Sequence, residues 1–148
     1  MLFRCLTISL LLLTGPAMAF DIEAHRGGRG LFPENTLASF AGALAMGVDT
    51  LELDVGATRD GVLIVSHERR LNPDLARDAS GAYVAPPGTP FVELTLAQVK
   101  TYDVGQIRPD SDYAKQFPEQ RAVPNTPIPT FGRARSNPAV APSGEIST

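Results

Sequence analysis

The arrangement that most constrains the fold is a strand, a helix and a second strand that follow one another between residues 20 and 55. Residues 20–24 (FDIEA) form a short strand pattern, and residues 48–55 (VDTLELDV) alternate between apolar and acidic side chains. The segment between them has the i, i+3, i+4, i+7 spacing of an amphipathic helix, carried by Leu37, Phe40, Ala41 and Leu44. A strand, helix, strand order is a βαβ unit, so the sequence predicts an α/β fold.

The next strand pattern, residues 62–65 (VLIV), is joined to the preceding strand by a much shorter link. Asp60-Gly61 in this link is a turn dipeptide. A parallel crossover needs a dozen or more residues, which this link does not have. These two strands are therefore predicted to pair antiparallel, as an excursion at the rim of the sheet.

The first nineteen residues (MLFRCLTISLLLLTGPAMA) have the organisation of an export signal. Arg4 supplies a positive start, Leu6 to Leu13 a short apolar segment, and Ala17 to Ala19 a small-residue cleavage site. The apolar segment is too short to span a membrane. It predicts a signal peptide over residues 1–19 and a periplasmic or secreted protein, with a retained N-terminal anchor as the alternative.

Composition excludes some classes of function. The formal net charge of −3 provides no broad basic field, which argues against nucleic acid as the main partner. The single cysteine, Cys5, lies inside the predicted signal peptide. From Phe20 onward the chain can therefore form no disulfide, thiol nucleophile or thiolate metal site. The sequence leaves the oligomeric state open.

The pattern changes in the second half of the chain. Eight of the thirteen prolines lie in residues 72–127, which we interpret as a small insertion or long loop region. Within it, Thr95 to Gln98 fits a capping box and predicts a helix from about Leu96 to Asp103. Residues 128–131 (IPTF) are predicted to start the next helix. Residues 132–148 lack periodicity and are predicted to form a disordered tail.

The two histidines, His25 and His67, each follow an apolar strand pattern directly. In α/β folds the ends of the strands are where functional sites form. Imidazole titrates near pH ~6.5, so it can donate and accept protons at working pH. Their shared position favours an acid/base pair, although either histidine alone is more often structural.

Glu52 and Asp54 form a second candidate site. At i and i+2 of a strand they would point the same way, opposite an apolar face. Two unpaired carboxylates repel each other, and a cation between them would relieve the repulsion. All-oxygen ligation favours Ca²⁺ or Mg²⁺. The alternative is a half-exposed strand with two solvated acids.

Three neighbouring residues complete the candidates. Arg26 follows His25, where its guanidinium could bind a phosphate group. Glu34 and Asn35 are expected to shape the loop through local hydrogen bonds rather than to take part in catalysis. The glycines around Gly28 lack the G-x-G-x-x-G spacing of a dinucleotide site.

Five short motifs occur in order: AHRGG (24–28), PENT (33–36), GVDTLELDV (47–55), T-R-DG (58–61) and VLIVSHE (62–68). Together they resemble the glycerophosphodiester phosphodiesterases, a family of the phosphatidylinositol-phospholipase-C-like superfamily. The resemblance is firm over residues 22–71, the N-terminal portion of the family's fold. It implies a TIM-type (β/α)8 barrel with a small insertion after the second strand, of which residues 20–71 would carry the active-site motifs.

The resemblance also implies an activity, the metal-dependent hydrolysis of glycerophosphodiesters to glycerol 3-phosphate and an alcohol. His25 and His67 would be the catalytic acid/base pair, in an order that the sequence leaves open. Arg26 would bind the substrate phosphate. Glu52 and Asp54 would bind the divalent cation, either Ca²⁺ or Mg²⁺.

The chain departs from the family pattern in two ways. Glu68 stands where the family usually has an aspartate after the second histidine. A complete barrel also needs about 250 residues, and the chain has 148. The family's third acidic metal ligand has no counterpart, since Glu145 lacks a strand around it.

These departures predict an incomplete barrel with little activity, with a reading frame that departs near Phe131. The alternative function is a non-catalytic, exported remnant of the same fold that binds a metal ion or a phosphate group. A related barrel enzyme acting on phosphoinositides or sphingophospholipids fits the HRGG and PENT motifs less well.

Overall fold

The computed structural model describes residues 20–138. The predicted signal peptide, including Cys5, lies outside the described residues, as do Glu145 and most of the predicted tail. Across residues 20–138, no helix has the length and apolar character needed to cross a membrane.

The first sheet confirms the predicted βαβ unit. Strand β1 (Glu23–Ala24) pairs in parallel with strand β2 (Thr50–Leu51), and helix α1 (Leu37–Ala45) lies between them in the chain. Thr36 caps α1, because its side chain accepts a hydrogen bond from the Ser39 amide while Ser39 returns one to the Thr36 amide. The strand predicted over residues 48–55 is shorter than expected, since β2 ends at Leu51.

The second sheet confirms the predicted antiparallel pair. Strands β3 (Val55–Ala57) and β4 (Leu63–Val65) are joined by the turn at Asp60-Gly61, with Gly56 opposite Ile64. Gly61 adopts a φ of 75° there. Glu52 and Asp54 therefore lie between the two sheets rather than inside one strand.

Residues 72–127 form a packed unit in which loops are tied together by isolated β-bridges, including Arg77 with Asp103. It contains a 3-10 turn (Phe91–Glu93), helix α2 (Leu96–Val99) and helix α3 (Asp112–Gln116). Its core combines residues of the unit with residues on both sides of it, and consists of Ile64, Leu71, Ala76, Phe91, Leu94, Val99 and Ile128.

Helix α2 is shorter than the helix predicted to extend to Asp103. The backbone of Asp103 instead exchanges hydrogen bonds with that of Arg77, at 2.9 and 2.8 Å. Because this bridge needs extended backbone at Asp103, the helix ends before it.

The predicted helix start at residues 128–131 is confirmed, and the prediction of a disordered tail from residue 132 is wrong for its first residues. Helix α4 spans Phe131–Ser136. Thr130 caps it by accepting the Arg133 amide, and Ala134 is buried against Phe40 and Val65. The tail prediction failed because the helix is held by packing against α1 and β4 rather than by its own weak periodicity. Residues 139–148 lie outside the described part.

Candidate active site

The turn after β1 positions the first pair of site residues. It spans His25–Gly27, and Arg26 and Gly27 both have positive φ, at 51° and 74°. A Cβ on Gly27 would lie 2.4 Å from the Ser39 Oγ atom, so glycine lets this turn rest directly on α1. The result is that the His25 side chain is 54% exposed, whereas the Arg26 side chain is 11% exposed.

Glu52 joins these two residues. Its Oε2 atom accepts a hydrogen bond from the Arg26 amide at 2.8 Å. The same oxygen lies 3.9 Å from His25 Nε2. The structure therefore brings together one predicted catalytic residue and one predicted metal ligand, through the loop that carries them.

The Arg26 guanidinium lies among acidic side chains. Its Nη1 atom donates to both Glu34 oxygens, at 3.2 and 3.4 Å. Its Nε atom lies 3.6 Å from Asp54 Oδ2. That Nε–H is buried and has no hydrogen-bond partner among the described residues. A buried guanidinium N–H without an acceptor has unmet hydrogen-bonding capacity, and a phosphate oxygen is an acceptor to which it is suited to donate.

The PENT motif (residues 33–36) determines the shape of the loop, and its side chains also form hydrogen bonds and ion pairs with the candidate site residues. Asn35 has a φ of 55° and its amide donates to the Arg26 carbonyl at 2.9 Å. The Asn35 side chain donates from Nδ2 to Asp54 Oδ2 at 3.1 Å. The prediction that Asn35 acts through hydrogen bonds agrees with these contacts, while Glu34 forms a buried ion pair that the sequence analysis did not foresee.

His67 lies at the end of β4. Its Nδ1 atom is 3.0 Å from Glu68 Oε1, so Glu68 can fix the ring orientation despite replacing the usual aspartate. The Ser66 amide donates to the Asp54 carbonyl at 2.9 Å, which holds this strand end beside the acidic cluster. His67, Glu34 and other residues line a small cavity of about 30 Å³.

Tyr113 is a site residue that the sequence analysis missed. Its hydroxyl donates a hydrogen bond to the Glu34 carboxylate. Burial raises the pKa of Tyr113 well above its ordinary value, and the nearby Glu34 charge raises it further. No local pattern in the sequence indicates this contact, because 79 residues separate the two positions.

The carboxylates of Glu52 and Asp54 supply oxygen donors of the kind that a hard divalent cation prefers. Their side chains are 32% and 28% exposed, so a cation can approach both. Within residues 20–138, however, no cluster of three or more His, Cys, Asp or Glu side chains has the arrangement of a metal site. Among residues 20–138, Glu52 and Asp54 are thus candidate ligands that do not belong to a three-ligand cluster.

Comparison with known proteins gives consistent matches. The model of the glycerophosphoryl diester phosphodiesterase family matches residues 25–147. A glycerophosphodiester phosphodiesterase of Bacillus altitudinis is 53% identical over 51 residues, which make up 34% of this chain and 21% of that protein.

Two crystal structures are similar to the described fold. A Silicibacter pomeroyi protein assigned to the glycerophosphoryl diester phosphodiesterases aligns with a TM-score of 0.77 and 36% identity, over 80% of this chain and 40% of that one. An Oleispira antarctica phosphodiesterase in complex with the product sn-glycerol-3-phosphate aligns with a TM-score of 0.56 and 26% identity, over 81% and 39% of the two chains.

These matches confirm the predicted fold class, an α/β chain that corresponds to the N-terminal part of a TIM-type barrel. The chain spans between 21% and 40% of the length of these relatives. Proteins of this family generally depend on a divalent metal ion. Because the family model covers most of its residues, the chain belongs to the glycerophosphoryl diester phosphodiesterase family.

Proposed function

We propose that this chain carries part of the active site of an exported, metal-dependent glycerophosphodiester phosphodiesterase. The substrate would be a glycerophosphodiester, and the products glycerol 3-phosphate and an alcohol. The observation that carries the proposal is the position of Glu52, which contacts His25 and the Arg26 amide through one oxygen. The Oleispira relative with bound sn-glycerol-3-phosphate supports the product class.

Arg26 is suited to bind the substrate phosphate. Its unsatisfied Nε–H can donate to a phosphate oxygen, and its positive charge would balance the charge that develops in the transition state. Glu34 and Asp54 hold the guanidinium from two sides, so little conformational freedom would be lost on binding.

The two histidines would move protons. One would deprotonate the attacking water and the other would protonate the leaving alcohol, so that the P–O bond to the alcohol breaks as the P–O bond to the water oxygen forms and glycerol 3-phosphate is left. With Nδ1 of His67 facing Glu68, its Nε2 atom remains available for the transfer. Glu52 and Asp54 would hold Ca²⁺ or Mg²⁺, which supplies charge stabilisation at the phosphoryl oxygens.

A second candidate function is binding without turnover, by an exported remnant of the same fold. It is favoured by one observation, the lack of a three-ligand metal cluster in the part of the chain that the structure describes. On the same ground we propose that this chain hydrolyses its substrate slowly.

The test is the release of glycerol 3-phosphate from glycerophosphocholine by the full chain, with Mg²⁺ or Ca²⁺ present and over long incubations. We expect slow release that is lost in the variants His25→Ala and His67→Ala. Lys115→Ala serves as the control, because Lys115 is exposed and pairs only with exposed Asp112. Release that persists in both histidine variants would contradict the proposed site, and cation binding without any release would favour the second candidate.

Export is a separate proposal, supported by the signal pattern of residues 1–19. Expression in a Gram-negative host with fractionation of the periplasm tests it. We expect the periplasmic protein to begin at Phe20, and full-length protein confined to the cytoplasm would contradict export.

A further inference from the structure

Residues of the inserted unit reach back to the loop that follows β1. The Tyr113 and Phe117 rings meet edge to face, with centroids 4.9 Å apart. The Arg29 guanidinium lies 5.0 Å from the Phe117 ring centroid, within the range of a cation–π contact. An aromatic pair from the insertion thus packs against Arg29, a residue of the loop that follows β1.

Two hydrogen bonds also join the inserted unit to the loop that follows β1. Gln120 donates from Nε2 to the Arg29 carbonyl at 2.7 Å. The Arg121 amide donates to the Leu31 carbonyl at 2.9 Å. Residues 113–121 therefore pack along the loop that follows β1, and this packing holds Tyr113 beside that loop.

The Tyr113 hydroxyl contacts the Glu34 carboxylate, which is already paired with Arg26. Glu34 is 5% exposed and pairs with Arg26 Nη1 through both oxygens. A buried carboxylate needs hydrogen-bond donors to offset its lost hydration. Tyr113 provides one of them, and it does so from a part of the chain outside the motif region.

The charge on Glu34 matters for Arg26. A carboxylate with no donor other than Arg26 would draw the guanidinium toward itself and compete with a phosphate for it. Donation from Tyr113 satisfies part of the Glu34 charge and keeps that carboxylate in place. The Arg26 Nε–H then remains the unsatisfied donor at the site.

We propose that Tyr113 is a positioning residue, which acts through Glu34 to keep the Arg26 guanidinium available to the substrate phosphate. This inference rests on the proposed function. It makes the inserted unit a part of the phosphate-binding site, since the hydroxyl that completes the Glu34 environment comes from helix α3.

The test is the affinity of the full chain for sn-glycerol 3-phosphate, measured by isothermal titration calorimetry with Mg²⁺ or Ca²⁺ present. Tyr113→Phe keeps the ring contact with Phe117 and removes only the hydroxyl. We expect its dissociation constant to rise at least roughly tenfold, in line with the loss of one hydrogen bond to a charged group. Tyr83→Phe, which removes another hydroxyl of the inserted unit, should bind as the wild type does.

The double variant Tyr113→Phe, Glu34→Gln distinguishes a positioning role of Tyr113 from a purely structural one. If Tyr113 acts through Glu34, then Tyr113→Phe should have no further effect on affinity in a Glu34→Gln background. An equal loss in both backgrounds, or no loss in the wild-type background, would overturn the inference. Circular dichroism confirms that each compared variant is folded.

Arg26→Ala distinguishes this inference from the function on which it rests. Loss of binding in Arg26→Ala together with normal binding in Tyr113→Phe would overturn the positioning role alone. Binding that Arg26→Ala leaves unchanged, or no binding by the wild type, would overturn the proposed function and the role of Tyr113 together.

Discussion

Asn35 and Asp54 are joined by two hydrogen bonds that use both ends of the Asn35 side-chain amide. Asn35 Nδ2 donates to Asp54 Oδ2 at 3.1 Å, and the Asp54 amide donates to Asn35 Oδ1 at 3.4 Å. One side chain thus fixes the backbone and the carboxylate of a proposed metal ligand. Such outer partners restrict the orientation of a ligand before the cation arrives.

We therefore expect Asn35→Ala to weaken Mg²⁺ or Ca²⁺ binding by roughly tenfold, a loss typical of removing an outer partner of a metal ligand. Isothermal titration calorimetry of the full chain measures it. Asn125→Ala is the matched control, because Asn125 also has a positive φ, 61° compared with 55° for Asn35. Asn125 contacts Asp103 through its backbone amide and not through its side chain. Equal losses in both variants would contradict a role for Asn35 in orienting Asp54.

The parts of the fold that were predictable from sequence are those set by local chemistry. The capping box of Thr95 and Gln98 and the turn at Asp60-Gly61 lie within a few residues of the elements they determine. The proximity of His25 and Glu52 follows from the predicted βαβ unit, although Glu52 comes directly after its strand and was predicted to lie inside it.

The parts that were not predictable depend on contacts distant in sequence. Helix α2 stops because Asp103 bridges to Arg77, and helix α4 forms because Ala134 packs against Phe40. The contact of Tyr113 with Glu34 depends on how the whole inserted unit packs, which no residue spacing encodes.

Cation binding should depend on the charge of Glu52. The Glu52→Gln side chain can still accept the Arg26 amide through its carbonyl oxygen, so the fold should be retained. We expect cation affinity to fall at least roughly tenfold because a neutral amide is a much weaker ligand for a hard cation. Glu23→Gln is the control, because Glu23 lies at an exposed position of β1 and the variant should bind like the wild type. Equal affinities of the two variants in titration calorimetry would show that Glu52 does not bind the cation.

Asp103 should contribute stability that depends on pH. Burial alone would raise the pKa of Asp103, but the amides of Gly105, Thr126 and Asn125 and the Arg77 guanidinium together hold it below its usual range. A lowered folded-state pKa means that the contribution is present above the unfolded-state value near ~3.9 and is lost as the pH falls through the folded-state value.

We expect Asp103→Asn to reduce the free energy of unfolding by about 1–3 kcal/mol at neutral pH, the cost of weakening a partly buried charged network. The difference from wild type should shrink below pH ~3.9. Urea unfolding at several pH values measures both effects. Asp112→Asn is the control, since Asp112 is almost fully exposed and should change little at any pH. A difference that persists unchanged in acid would argue against a contribution from the Asp103 charge.

Gly27 should be the least replaceable glycine of the loop that follows β1. Its φ of 74° and its contact with α1 act together, because an added Cβ would lie 2.4 Å from Ser39 Oγ and 2.5 Å from Phe40 Cδ1. Gly61 has nearly the same φ, 75°, with nothing within 4 Å of an added Cβ. We expect Gly61→Ala to cost about 1 kcal/mol, from backbone strain alone. Gly27→Ala should cost roughly 2–4 kcal/mol in urea unfolding, because overpacking adds to the strain. Equal costs for the two variants would show that the loop that follows β1 can move away from α1.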